Sequence, residues 1–506
     1  MATRSSSANG IARRDLMAGG ALPAALAQRG SGDRPNILWI CTDQQRWDTI
    51  SAHGNPYIRT PNLDRLASSG VSFRRAYCQN PVCTPSRASF MTGCYPSTLH
   101  VHRNGNSHFP SEWQPRLAPR LFRDAGYDCG LAGKLHLSSP FERVEPRFDD
   151  GYRIFEWSHH PKPEKGWPLS AHAYQNWLRR QGADWNKLYR TRKVDGYPDA
   201  YQAGMPERLH EITWAAGLTR EWIRGGLRKP WFASMHIFAP HPPFDPAPEF
   251  LERMKPETMP EPLYRPGEEH ERAAFNAVDH QTRAPVTPRE YPARHMKAAY
   301  YAMIEHIDHE VGRILDTLEA TGQRESTIVV FTSDHGEMLG DHCLRLKGCR
   351  FFEGAVHVPL ILSWPGTFQA GLVSNALVEL TDILPTLLEA AGRTVPAHID
   401  GRSLFAIATG KADPGRHRDL ARSEYHDSVD GPGHSRATMI RDDRYKLVIY
   451  HGSGLGELYD LAADPYEFHN LFRDPAGQAT RARMTEMMLD HIALRADLGQ
   501  PRVGRF

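Results

Sequence analysis

Apolar residues in this chain fall into two kinds of run. The first is short and nearly unbroken: Asn36-Ile-Leu-Trp-Ile-Cys41, residues 327–332 within STIVVFTSD, and residues 358–363 reading VPLILS. Strands buried on both faces, as in parallel sheets, read this way. Tyr127–Ala132 and Trp231–Phe238 add two more. The second kind recurs at helical spacing. Ala299, Met303, Ile307, Val311, Ile314 and Leu318 fall three or four apart and predict a helix over about 295–321. Thr60-Pro61 opens another helix, closed by Gly70, and Leu380–Ala391 forms a third. Strands alternating with helices predict an α/β fold: a large, mainly parallel, doubly wound sheet flanked by helices.

The pattern changes after about residue 400. Residues 437–440 and 445–450 flank Arg441-Asp442-Asp443-Arg444 and predict a hairpin. LYDLAADPYEFHNL adds a strand and a turn, and a terminal helix follows over about 478–498. The expectation is a main domain over 34–400 and a smaller α+β subdomain with an antiparallel sheet over 401–506. Residues 240–295, rich in proline and charge, predict long loops. Residues 1–33 stand apart. Arg13-Arg14 precedes the weakly apolar MAGGALPAALA, and Ala25-Leu26-Ala27 offers a small-x-small cleavage site. This resembles a twin-arginine export signal and predicts a periplasmic protein. The alternative is an alanine-rich disordered extension on a cytoplasmic one. No apolar run approaches the ~20 residues that span a bilayer.

Charge adds little. Lys and Arg number 61 against 59 Asp and Glu, a net charge of +2, so no strong field favours nucleic acid or an anionic membrane. The seven cysteines are odd in number and lack CxxC spacing, which argues against a disulfide framework or a zinc cluster.

Two of the buried runs end in acids: Asp43-Gln44 and Asp334-His335. Open α/β sheets bind ligands at the carboxyl ends of their strands. If the two strands are neighbours, two carboxylates, one amide oxygen and one imidazole converge, a set that suits Ca²⁺ or Mn²⁺. Taken singly, each aspartate caps a turn as readily.

Cys83 lies in CTPSRASFMTG, directly before a proline turn and followed by Ser86 and Arg87. A core cysteine needs none of these neighbours. Here the chain resembles the sulfatase family, within the alkaline-phosphatase-like superfamily. That signature is Cys-x-Pro-Ser-Arg, then a small-residue helix and Thr-Gly. It is complete at Cys83, Pro85, Ser86, Arg87 and Thr92-Gly93. The match continues through GKLHL, PHPPF, TSDHGEMLGDH, VPLILSWPG, ELTDILPTLLEAAG, DGRSL and LYDLAADPYEFHNL, from about residue 35 to 472.

The resemblance implies hydrolysis of a small-molecule or saccharide sulfate ester to alcohol and sulfate. It implies that a formylglycine-generating enzyme oxidises Cys83 to Cα-formylglycine (3-oxoalanine). One hydroxyl of its hydrate attacks sulfur, and the second provides an internal route out of the resulting ester. It further implies that Asp43, Gln44, Asp334, His335 and position 83 hold one divalent cation, Ca²⁺ first and Mn²⁺ as the alternative. Arg87 and Lys134 would hold the nucleophile and sulfate oxygens. His136 would be the base, His241 and Lys347 would meet the leaving-group oxygen, and Asn104 would touch sulfate.

Many members carry Asp-Asp at the first strand end and Asp-Asn at the second. Asp43-Gln44 and Asp334-His335 resemble instead a branch that includes choline sulfatases and phosphonate monoester hydrolases. A phosphonate monoester or phosphodiester carries the same single charge as a sulfate monoester, so its hydrolysis at this site is the alternative activity. Lys134 and His136 stand as in sulfatases and favour sulfate. A catalytically silent organosulfate-binding protein is a third reading. Trp157, Trp167, Trp177, His159 and His160 are candidate contacts for the alcohol half.

Overall fold

The computed structural model describes residues 34–140, 144–160, 172–188, 190–191, 202–203, 205–281, 287–288, 292–431 and 434–495. The expected export segment and Trp167 lie outside these residues. The unbroken apolar runs are strands sealed on both faces. Along β1 (Asn36–Thr42), Ile37, Trp39 and Cys41 enter one core while Leu38 and Ile40 enter another. That is the two-residue alternation of a pleated strand with both faces covered.

Nine strands form the main sheet. They include β2 (Val71–Tyr77), β3 (Asp128–Gly133), β4 (Ile154–Trp157), β5 (Trp231–His236), β6 (Thr327–Ser333), β7 (His357–Val358), β8 (Leu360–Ser363) and β9 (Leu372–Glu379). The order is β9-β2-β8-β6-β1-β5-β3-β4, with β7 paired to β2. Strands β6, β1, β5, β3 and β4 are mutually parallel, as are β9 and β2. Only β7 and β8 run against their neighbours. Helices cover both faces. The long helix Ala293–Ala320 seats Met303, Ile307, Val311, Ile314 and Leu318 in one core. The helices Cys83–Thr92, which we call α2 after the shorter α1 (Pro61–Ser68), and Ile383–Ala390 pack against the other.

Strands β2 and β9 are not visible as apolar runs. Arg74-Arg75 interrupts β2, and β9 has exposed positions in its first half, where it forms the sheet edge. The 240–295 segment is not all loop: Pro248–Leu251 and Glu268–Ala273 are short helices.

The C-terminal sheet is antiparallel: β10 (Ala421–His426), β11 (Arg436–Arg441), β12 (Tyr445–Tyr450) and β13 (Leu455–Asp460). One face takes Met484 and Met488 of the last helix, Gln478–Ala493, against Ile440, Leu447 and Leu458. On the other, Tyr425, Met439 and Val448 extend the core beneath the main sheet. Buried ion pairs cross the same boundary. Arg418 pairs with Glu379 and Asp382, all three side chains at most 2% exposed. No helix among the described residues is long and apolar enough to cross a membrane.

Removing one partner of a buried ion pair leaves uncompensated charge and costs about 3–5 kcal/mol. Arg418→Met is therefore expected to lower the unfolding free energy by an amount of that order, read as a lower urea midpoint at an unchanged slope. An unshifted midpoint would show that the boundary does not depend on this pairing.

Candidate active site

Strands β1 and β6 lie side by side in register, with Cys41 beside Thr332 and Thr42 beside Ser333. Asp43 and Asp334 therefore leave the sheet together at one edge. Gln44 turns into a left-handed conformation, φ 71°. Its backbone N–H donates to Asp334 Oδ1 at 3.0 Å. The loop after β2 delivers Cys83 as the first residue of α2. Cys83 Sγ is 3.2 Å from His335 Nε2, 3.3 Å from Lys347 Nζ and 3.7 Å from Asp43 Oδ1.

The donor set fits a divalent cation. Ligand atoms of Asp43, Cys83, Asp334 and His335 all lie within 4.8 Å of one another, and all four residues are buried. His335 Nδ1 engages Gly336 O at 2.9 Å, which leaves Nε2 facing the cluster, as a metal-bound imidazole requires. Gln44 Oε1 accepts from Lys347 Nζ at 2.7 Å and so shares an ammonium with Cys83 Sγ.

Cations surround the carboxylates. Arg87, fully buried, donates through Nε to Asp334 Oδ2 at 2.8 Å and through Nη2 to Asp43 Oδ2 at 3.2 Å. Its Nη1 donates to Lys134 O at 2.9 Å, and the Lys134 ammonium sits on Asp43 Oδ2. Burial alone would raise the Asp43 carboxyl, but Lys134, His241, Arg87 and Lys347 hold it well below the usual range. Burial and Asp43 push the Cys83 thiol up; Lys134, Lys347 and His335 outweigh them and bring it below its ordinary value. The His241 imidazole contacts the Lys347 ammonium. Burial and Lys347 depress His241 well below the usual histidine range. Lys347 is raised: burial opposes this, but Cys83, Asp43 and Asp334 prevail. The proton of this pair thus resides on Lys347 Nζ. His241 Nδ1 donates to Pro242 O at 2.6 Å, so Nε2 is free to accept.

The structure brings Asp43, Gln44, Cys83, Arg87, Lys134, His241, Asp334, His335 and Lys347 into one cluster. His136 stands on the same loop as Lys134, in a left-handed turn at φ 56°. Burial, Lys134 and His159 keep its ring neutral at ordinary pH. Its ring lies 4.4 Å from that of His159, nearly perpendicular. Asn104 lies beside the start of α2. Its Oδ1 accepts the Thr84 N–H at 2.9 Å, and its own N–H donates to Ser428 O of the C-terminal subdomain. Among the aromatic candidates, Trp157 is buried and donates its indole N–H to Glu145, a packing role. Trp177 packs beside Tyr174, away from the cluster. His160 packs on Phe238, which also faces Lys134 Nζ and His241.

Two buried glutamates escape the motif reading. Glu145 accepts the backbone N–H groups of His136, Leu137 and Ser138 and thereby shapes the Lys134–His136 loop. Glu337, inside TSDHGEMLGDH, contacts the Gln44 side chain. Glu337 was detectable as an acid two residues beyond His335; Glu145 has no signal of spacing.

Comparison with known proteins agrees with this geometry. The sulfatase family model matches residues 35–393, and the model described as N-sulphoglucosamine sulphohydrolase, C-terminal, matches 340–493. The chain belongs to the sulfatase family of sulfuric ester hydrolases. It is similar to the arylsulfatase of Clostridium perfringens, 31% identical over 460 residues that cover 87% of this chain and 90% of that one. It is similar also to the multifunctional alkaline phosphatase superfamily protein PehA of Trinickia caryophylli, 31% identical with 88% and 92% covered. The crystal structure of the phosphonate monoester hydrolase of Agrobacterium radiobacter superposes with a TM-score of 0.77 at 28% identity, covering 93% of this chain and 98% of that one.

Arg87 bridges two carboxylates and a carbonyl through a planar fork that an ammonium cannot reproduce. Arg87→Lys is expected to lower kcat/KM on an aryl sulfate about 10²–10³-fold, the scale seen when one preorganised donor is lost. Activity within threefold of the unaltered protein would remove Arg87 from that role.

Proposed function

We propose that this protein hydrolyses sulfate monoesters of small alcohols, phenols or saccharides through a Cα-formylglycine made from Cys83. The observation that carries the reading is the setting of Cys83: buried at the start of a helix, with its side chain against His335, Lys347 and Asp43. Asp43, Gln44, Asp334 and His335 would hold one divalent cation, Ca²⁺ with Mn²⁺ as the alternative. Such a cation neutralises developing charge and lowers the pKa of a bound hydroxyl.

The chain's own groups supply the rest. Arg87, Lys134 and Lys347 outnumber the carboxylates of Asp43 and Asp334, and a divalent cation would add to that excess, so the site favours an anion. The Lys347 ammonium carries the proton needed by a departing alkoxide, and His241 Nε2 is its acceptor partner. Neutral His136, on the loop that presents Lys134, would be the proton acceptor. The Arg13-Arg14 pair supports export, which a periplasmic form beginning near residue 28 would establish and an intact cytoplasmic N-terminus would refute.

A second reading, phosphonate monoester or phosphodiester hydrolysis, draws on the likeness to the Agrobacterium enzyme and on Gln44 and His335. The two differ in the reacting centre and not in charge. Paired substrates with one phenol, 4-nitrophenyl sulfate and 4-nitrophenyl phenylphosphonate, are expected to give a kcat/KM at least about tenfold higher for the sulfate. A reversed ranking would replace the first reading by the second.

Cys83→Ala is expected to abolish turnover of both substrates and leave the fold intact by circular dichroism. The Cys83 peptide from a host that carries the modifying enzyme should be lighter than the thiol by about 18 Da. An unmodified thiol there would favour a silent organosulfate-binding protein. Exhaustive chelation should remove activity, and Ca²⁺ or Mn²⁺ should restore it.

A further inference from the structure

The Gln44 side chain is an ambiguous ligand. Its amide has an oxygen, which can bind a cation, and an NH₂ group, which cannot. Swapping the two costs nothing in shape. Something must choose between them, and the choice is made by Glu337.

Glu337 is 1% exposed. One carboxylate oxygen, Oε2, accepts from Gln44 Nε2. The other, Oε1, accepts the backbone N–H groups of Leu339, at 3.0 Å, and Leu346. With its NH₂ held by a group that can only accept, Gln44 turns Oε1 toward Lys347 Nζ and the cluster. The same carboxylate closes the loop that carries Lys347. Leu339 and Leu346, the two residues whose amides it takes, are both left-handed, at φ 49° and 59°. Arg46 Nη1 donates to the Glu337 carbonyl at 2.9 Å and holds its backbone in turn.

We propose that Glu337 is a positioning residue that fixes the Gln44 amide with its oxygen toward the cation and, through the 339–346 loop, sets Lys347 beside it. This rests on the reading of Asp43, Gln44, Asp334 and His335 as a cation site. The test uses the isosteric variant Glu337→Gln. Two backbone N–H groups meet the Oε1 position and one side chain meets Oε2. The new amide therefore keeps its oxygen toward Leu339 and Leu346 and presents its NH₂ to Gln44. Gln44 must then flip its amide, and its own NH₂ faces the cluster.

The readout is the dissociation constant for Ca²⁺ and for Mn²⁺, measured by chelator competition on the full-length protein, with thermal unfolding as the control for folding. Glu337→Gln is expected to weaken binding about 10–100-fold, the range for loss of a residue that orients a metal ligand. The double variant Gln44→Glu/Glu337→Gln exchanges acid and amide across the same contact and is expected to bind within threefold of the unaltered protein. Gln44→Glu alone sets two carboxylates against each other and should not match it. Unchanged affinity in Glu337→Gln overturns the proposal, as does a double variant no better than the worse single one. If Glu337→Gln alone does not fold, the double variant still reports the coupling, since it folds and binds only if the contact works as described. An unaltered protein that binds neither cation would instead remove the cation site itself.

Discussion

Two carboxylates are buried side by side at the edge of the main sheet, and Arg87 makes this arrangement possible. Ionised groups removed from water cost several kcal/mol each unless paired with good geometry. Arg87, without any solvent exposure, spans Asp43 and Asp334 with separate N–H groups. The pairing also has a positional consequence. Arg87 and Cys83 are four residues apart on α2 and so share a helix face. The ion pair that neutralises the carboxylates therefore also turns Cys83 toward them. Cys83 and the two carboxylates are thus positioned through one helix and one guanidinium.

The loops around the cluster are held in unusual backbone conformations. Gln44, His136, Leu339 and Leu346 all have positive φ. Such residues are uncommon outside glycine and persist only where the surroundings over-determine them. Here two buried carboxylates provide much of that support, Glu145 by accepting three successive amides and Glu337 by accepting the amides that close the Lys347 loop. Catalytic candidates on two separate loops are thus made rigid by the same device, a carboxylate turned inward onto backbone N–H groups. A glutamate in that position does no chemistry, yet it decides where Lys134, His136 and Lys347 can stand.

The legibility of the sequence followed from burial. β1 and β6 are covered on both faces, so their apolar runs were unbroken and their terminal acids conspicuous. The helix over 293–320 repeats its apolar face through several turns and was equally plain. β2 was hidden because arginines break its pattern, and β9 because exposed positions break its pattern at the sheet edge. The cluster from Asp43 to Lys347 was legible as motifs, since each piece sits at a strand end or in a signature. The Asn104 side chain accepts the Thr84 N–H, a contact with the backbone that no side-chain motif reveals. Glu145 was invisible: apart from the Trp157 indole its partners are main-chain amides, which leave no trace in residue type.

This last point bears on how the site distinguishes substrates. Sulfate monoesters and phosphonate monoesters carry equal charge, so charge alone does not let the cluster of three cations and two carboxylates tell them apart. Discrimination has to come from groups that touch the non-bridging substituent and the departing alcohol. On the proposed reading Lys134 and His136 would be such groups, and both stand on a loop held by Glu145. His160 and Phe238 pack together beside Lys134 and His241, so the wall next to the reacting centre is aromatic and imidazole-rich. Burial keeps His136 and His241 neutral, and this wall can then hydrogen-bond an alcohol without adding charge. On that reading, affinity for the anion would be set at the carboxyl ends of β1 and β6, and choice among anions on the loops. A change in the loops alone could move a protein of this architecture from one ester class to another while Asp43, Arg87 and Asp334 stay as they are.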